Sequence, residues 1–211
     1  GRGSRLGILS ENRKEWVYAD LAGQCLGAIV TGIYQTDAPV QCEHIIIDAS
    51  IQVLFVENDE QLDKYLQIQD RVPTLDLVIV FDMDGLENFE HPKVISWDAF
   101  VAKGEEFVKK RPNHLSEVTA ATKSDEICML VYTSGTTGKP KGVMISSRNI
   151  LATMHYGVNV LTNPPGTTII SYLPLSHIYE RSLGSYLQIA QSLVTCYAES
   201  VETVLDNIRE I

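Results

Sequence analysis

Apolar residues along the chain fall into two alternating patterns. Short apolar runs at residues 6–9, 28–34, 52–57 and 75–81 are rich in Val and Ile and have strand length, which suits strands buried on both faces of a parallel sheet. Helical patterns lie between them. Asn12 followed by Glu15 marks a helix start, and Val17, Leu21, Cys25 and Ala28 then recur on one helical stripe. Residues 39–49 open on a proline and residues 59–70 on an acidic pair, the latter with an apolar face of Leu62, Tyr65 and Leu66. This alternation predicts an α/β fold of layered, mainly parallel sheets flanked by helices.

Ser96 opens a further helix through Phe100, Val101 and Val108. The stretch 111–125 is polar, holds Pro112 and Asn113 and shows no periodicity, so it is the best internal boundary. The expected organisation is a first α/β portion at 1–110, a linker at 111–126 and a second α/β portion at 127–211 that is incomplete at its C-terminus. Within that second portion the pattern predicts strands at 127–133, 142–145, 168–173 and 193–197, and helices at 147–160, 178–191 and from 201 onward. There is no internal repeat and no low-complexity tract.

Composition narrows the function classes. The chain has 211 residues, 45% of them hydrophobic and 21% charged, as in ordinary globular proteins. Its net charge of −10 disfavours a general affinity for nucleic acid or anionic lipid, which it would repel at long range. A small phosphate ligand is still allowed, because a few oriented N–H groups and one lysine suffice to hold it. Cys25, Cys42, Cys128 and Cys196 form no C-x-x-C pair and read as reduced, mostly buried thiols. No apolar stretch approaches the ~18 residues of a spanning helix, and no glycosylation sequon or signal peptide is present. The expected setting is the cytoplasm or the cytosolic face of a membrane. Gly1 stands just before a strand-like run and Ile211 inside a helical pattern, so both ends are expected to be cut from a longer protein.

The segment with the most chemistry is Thr133-Ser134-Gly135-Thr136-Thr137-Gly138-Lys139-Pro140-Lys141-Gly142, directly after an apolar run. It offers backbone N–H groups, hydroxyl donors and cations together, which is what a polyphosphate needs. Glycines let the backbone come close, and Pro140 fixes φ beside Lys141. A solvated surface loop would carry fewer donors, and a simple hairpin would use a shorter turn. A Walker A loop is excluded, because Thr133 stands where it needs Gly, Pro140 where it needs Ser or Thr, and a strand follows where it needs a helix. Gly1, Gly3 and Gly7 miss the dinucleotide-binding spacing and precede a strand.

The run Leu130-Val131-Tyr132-Thr133 through Gly142-Val143-Met144 resembles the phosphate-loop signature of the adenylate-forming (AMP-binding) acyl-CoA synthetase superfamily. Ser171-Tyr172-Leu173-Pro174-Leu175-Ser176-His177-Ile178-Tyr179-Glu180-Arg181 is similar to the next motif in the form found in long-chain fatty acid CoA ligases. The opening Gly7-Ile8-Leu9-Ser10-Glu11-Asn12-Arg13 with Trp16, and Thr31-Gly32-Ile33-Tyr34 with Glu57-Asn58, Gln61-Leu62-Asp63-Lys64, place the resemblance nearest the bubblegum type. It covers essentially the whole chain and implies part of the large N-terminal domain of that fold.

The implied reaction is ATP-dependent. A fatty acid carboxylate attacks the α-phosphorus to give acyl-AMP and pyrophosphate, and the thiol of CoA then displaces AMP. Adenylation supplies the leaving group a carboxylate lacks, while Mg²⁺ and cationic donors offset phosphate charge. By resemblance, Thr133, Ser134, Gly135, Thr136, Thr137 and Gly138 wrap the β- and γ-phosphates, Lys141 is the catalytic loop lysine, and Thr133 contributes to Mg²⁺ binding. Lys139 is solvated. His177, catalytic in the same scheme, borders the acyl carboxylate and gates its pocket, where a neutral imidazole donates one hydrogen bond. Glu180 and Arg181 cannot face each other on a helix and should pair elsewhere. His44, His91, His114 and His155 show no metal-ligand spacing and read as surface or satisfied core residues.

The superfamily's later Tyr-Gly-x-Thr-Glu segment, ribose-binding aspartate and C-terminal domain with its lysine do not occur before Ile211. The segment alone is therefore expected to be inactive and, with exposed sheet edges, prone to aggregate. The expected partners are fatty acid, ATP and CoA and not nucleic acid, and peripheral membrane association through regions outside this chain stays open. The alternative is a short noncatalytic nucleotide- or acyl-binding or scaffolding module.

Overall fold

In the computed structural model, which describes residues 1–133, 138–198 and 200–210, nine strands form two sheets. Strands β1 (Arg5–Leu9), β2 (Ile29–Ile33), β3 (Val53–Val56), β4 (Leu77–Val80), β5 (Val94–Ser96), β6 (Ile127–Thr133) and β7 (Lys141–Ser146) form a seven-stranded sheet in the order β5-β4-β3-β1-β2-β6-β7. Every pairing is parallel except the antiparallel β6–β7 hairpin at one edge. Strands β8 (Thr168–Ser171) and β9 (Val194–Tyr197) form a separate parallel pair.

The α-helices are α1 (Lys14–Cys25), α2 (Pro39–Asp48), α3 (Asp59–Leu66), α4 (Trp97–Lys110), α5 (His114–Ala121), α6 (Ser147–Val160), α7 (Leu187–Gln191) and α8 (Val204–Glu210), with a 3-10 turn at Gln69–Arg71. The central strands bury both faces, as their apolar runs lead one to expect. Successive side chains point to opposite sides, so Leu9, Leu54, Val56, Val78 and Val80 join α2 and α3 in one core, while Ile8, Phe55 and Ile79 join Trp16 and Val17 of α1 in the other. A third cluster of Met129, Val131, Met154, Tyr186 and Leu187 seats α6 against β6.

Several expectations need correction. Helix α1 starts at Lys14, and Asn12 does not cap it; its side chain is drawn away to the β8–α7 connection. The buried face of α1 is Trp16, Val17, Ala19, Asp20 and Gly23, so Cys25 of the expected stripe is exposed and only Cys42 and Cys128 are fully buried thiols. Asp20 on that buried face meets the buried guanidinium of Arg181, beside the apolar Trp16, Val17 and Ala19. The stretch 178–191 is helical as expected, with a π-helical segment, Glu180–Tyr186, ahead of α7, and the short helix α5 lies within the polar stretch 111–126. The three-residue strand β5 is too short to give a periodic signal.

Among the described residues no helix is long and apolar enough to cross a membrane. The edge strand β7 exposes Val143 and Met144, and α6 exposes Leu151, Tyr156 and Val160.

Candidate functional site

Strand β1 has β2 on one side and β3 on the other, and the chain reverses its direction of travel there. In open α/β sheets ligands sit outside the carboxyl ends of the strands near such a reversal. One strand away from that reversal, a crevice of about 380 Å³ opens at the carboxyl ends of β2 and β6, lined among others by Tyr34, Gln41, Thr133, Pro140, His177 and Ile178.

Two sequence-predicted residues, Thr133 and His177, therefore meet in one crevice although they are far apart in the chain. Lys141 is exposed and opens β7 directly opposite Thr133 in the hairpin register, but it does not line the crevice. Gly138 has a φ of +142°, a conformation that side-chain-bearing residues rarely adopt. Ser134, Gly135, Thr136 and Thr137 lie outside the described residues. Among the described residues there is no group of three or more His, Cys, Asp or Glu side chains that could hold a metal. Thr133 alone offers a single hydroxyl, so these residues do not build a magnesium site by themselves.

His177 is held by its own turn. Its N–H donates to the Pro174 carbonyl at 2.9 Å, and its ring Nδ1 accepts from the Tyr179 N–H at 3.1 Å. An accepting Nδ1 puts the neutral ring's proton on Nε2, leaving that atom as a donor.

Three contacts fix where this turn sits. Asn12 donates from Nδ2 to Ser171 Oγ (3.1 Å) and the Leu173 carbonyl (2.7 Å), and its Oδ1 accepts from the Leu175 N–H at 2.9 Å. Gly32 lets the turn lie on the sheet, because a Cβ there would stand 2.7 Å from Ser176 Cα. Arg181, fully buried, donates from Nε to Asp20 Oδ2 at 3.0 Å and from Nη2 to Asp20 Oδ1, and stacks over Trp16 with 5.1 Å to the ring centroid. Tyr186 Oη donates to the same aspartate at 2.7 Å and Gln24 Nε2 to its other oxygen at 2.7 Å. Burial alone would pull the guanidinium down, but Asp20 and Tyr186 reverse this and hold it above its ordinary value. Glu180 turns the other way; burial raises its carboxyl, and a hydrogen bond with Ser171 partly opposes that. As expected, Arg181 pairs elsewhere, with Asp20, rather than with Glu180, which has no ion-pair partner among the described residues.

The hairpin's stems are held from α2. His44 Nε2 lies 2.9 Å from the Pro140 carbonyl, and Tyr132 Oη donates to Asp48 Oδ2 at 2.6 Å. Sequence reasoning missed Asn12's true role, Gly32, Asp20, His44 and Asp48. Only Gly32 carried a signal, since an isolated glycine inside a strand marks a close backbone approach.

This layout is the N-terminal-domain fold of adenylate-forming enzymes, and the chain belongs to the AMP-binding enzyme family, whose pattern it matches over residues 1–210. Its curated relatives include the long-chain-fatty-acid–CoA ligase ACSBG2 of Rattus norvegicus, 36% identical over 200 residues that cover 92% of this chain and 29% of the relative. The long-chain-fatty-acid–CoA ligase ACSBG1 of Homo sapiens is 34% identical over 196 residues, covering 91% and 26%. The chain thus spans less than a third of the length of these relatives.

Among solved structures, the anthranilate CoA ligase AuaEII in complex with anthranoyl-AMP superposes with a TM-score of 0.75 at 24% identity, over 98% of this chain and 37% of that one. The N-terminal domain of FACL13 from Mycobacterium tuberculosis gives 0.73 at 17% identity, over 100% and 48%. These likenesses concern the fold.

Proposed function

We propose that this chain carries the phosphate loop and the acyl-side histidine of an ATP-dependent long-chain fatty acid CoA ligase. The observation that carries the reading is the convergence of Thr133, at the start of the loop, and His177 on one crevice at the carboxyl ends of β2 and β6. The sequence relatives, which are long-chain-fatty-acid–CoA ligases by name, support the substrate class.

In the proposed reaction a carboxylate oxygen of the fatty acid attacks the α-phosphorus of ATP, and pyrophosphate leaves. The CoA thiol then attacks the acyl carbonyl and AMP leaves. Thr133 and Gly138, with residues 134–137, hold the β- and γ-phosphates through hydroxyl and backbone N–H donors. Lys141 places a cation beside the loop's stem and offsets phosphate charge as the leaving group forms. His177 donates from Nε2 to the fatty acid carboxylate and orients it without adding a fixed charge. Thr133 would offer one oxygen to a magnesium ion brought in with ATP, and such an ion would supply shielding of the phosphate charge.

The test is fatty-acid-dependent AMP release by the intact protein that contains this chain, with ATP and CoA supplied. Lys141→Ala is expected to lower it at least tenfold, about 1.4 kcal/mol in barrier. Unchanged turnover removes Lys141 from the mechanism, and absence of AMP release with every fatty acid tried overturns the reading.

A further inference from the structure

Helix α2 lies beside the β6–β7 hairpin and carries His44 and Asp48 four residues apart, hence on the same face one turn above the other. Each reaches a different stem of the loop. Asp48 accepts from the hydroxyl of Tyr132, the residue immediately before Thr133, at 2.6 Å. His44 Nε2 meets the carbonyl of Pro140, the residue immediately before Lys141, at 2.9 Å. A carbonyl can only accept, so Nε2 carries the proton and donates.

The approach is built into the hairpin. A Cβ at Gly142 would stand 3.1–3.2 Å from the ring of Tyr132, so the glycine leaves room for the ring to cross its partner strand and extend towards α2. Pro140 has no N–H, and its carbonyl is the group through which α2 grips that end of the loop.

We propose that His44 and Asp48 are positioning residues which clamp the two stems of the phosphate loop to α2 and so fix Thr133 and Lys141 for the triphosphate. This rests on the reading of residues 133–141 as a phosphate loop. Neither residue touches the nucleotide in this scheme; each acts through the loop. A stem free to open would lose the aligned donors, because anion affinity from N–H and hydroxyl groups depends on their convergence.

The test compares wild type with His44→Leu, His44→Gln and Tyr132→Phe in the intact protein by two readouts. The first is hydrogen exchange at the amides of Gly138, Lys139, Lys141 and Gly142 without nucleotide, which reads the clamp alone. His44→Leu is expected to speed exchange at least fivefold, and His44→Gln, which keeps an N–H donor at similar reach, to stay within about twofold of wild type. The second is fatty-acid-dependent AMP release. His44→Leu and Tyr132→Phe are expected to raise the KM for ATP five- to tenfold while the KM for fatty acid holds, with His44→Gln restoring the ATP value.

Exchange in His44→Leu equal to wild type overturns the proposal, as does an equal rise in both KM values or failure of His44→Gln to rescue. Wild type that exchanges slowly at these amides yet fails to release AMP overturns the ligase reading and keeps the clamp.

Discussion

Replacing Gly32 by alanine tests whether the sheet surface positions His177. The added Cβ would stand 2.7 Å from Ser176 Cα, 3.0 Å from Ser176 Cβ and 3.4 Å from Trp16 Cζ2. Ordinary contact starts at 3.4 Å, so Ser176 must retreat by about 0.7 Å, and because its nearest atom is backbone no rotamer change can absorb the shift. The strand cannot give way instead, since β2 is bonded on both sides, to β1 and β6. Overpacking of this kind costs about 1–3 kcal/mol. The displacement passes to His177, whose N–H is bonded to Pro174 within the same turn.

A misplacement on the order of 1 Å can cost about a hundredfold in rate. Gly32→Ala is therefore expected to lower the urea midpoint and to cut fatty-acid-dependent AMP release by more than about tenfold, with the KM for ATP much less affected because Thr133 and Lys141 stand on other strands. Adding Ser176→Gly removes only the 3.0 Å contact and leaves the 2.7 Å one, so the double variant should stay impaired. Full rescue by Ser176→Gly, or a Gly32→Ala protein with wild-type stability and turnover, would refute the reasoning.

The buried ion pair gives a larger effect on stability. Asp20→Asn keeps the volume but leaves the fully buried Arg181 guanidinium without its counter-charge, and a loss of about 3–5 kcal/mol is expected in urea unfolding; a loss under about 1 kcal/mol would mean that water reaches the site. Glu180 supplies a pH test. Burial raises its carboxyl above the ordinary 4.5, so the folded state binds that proton more tightly than the unfolded chain does. Its contribution is fully present below pH 4.5 and is lost as the pH rises through the raised folded value. Glu180→Gln should gain stability relative to wild type at about pH 8 and lose that advantage near pH 4.5, followed by urea midpoints at both values; an advantage that does not change with pH would contradict the assignment.

Much of the element list could be read directly because its signals are local. Ser146 accepts from the Asn149 N–H while Asn149 Oδ1 accepts in return from the Ser146 N–H, so α6 begins where the sequence placed it. Ser96 caps α4 through the Ala99 N–H, and Pro39 opens α2. Strands β1 to β4 and β6 announced themselves as apolar runs because both of their faces are covered. The candidates Thr133, Lys141 and His177 stood out in the sequence as a dense donor loop and as a histidine inside a motif, since a motif is contiguous in the chain; that Thr133 and His177 line one crevice came from the structure.

The sequence by itself thus determined which segments become strand or helix and which residue types could hold a polyphosphate. The strand order that brings β6 beside β2 was decided only in three dimensions, by which apolar faces find cover. So were the partners Asp20 and Arg181, 161 residues apart, and the grip of His44 and Asp48 on the hairpin. So was the rotation of α1, which exposes Cys25 and buries Asp20 with Trp16 and Val17. The physical reason is range: capping and periodicity are settled within a few residues, whereas a buried charge or a close backbone approach is settled by whatever packing places opposite it.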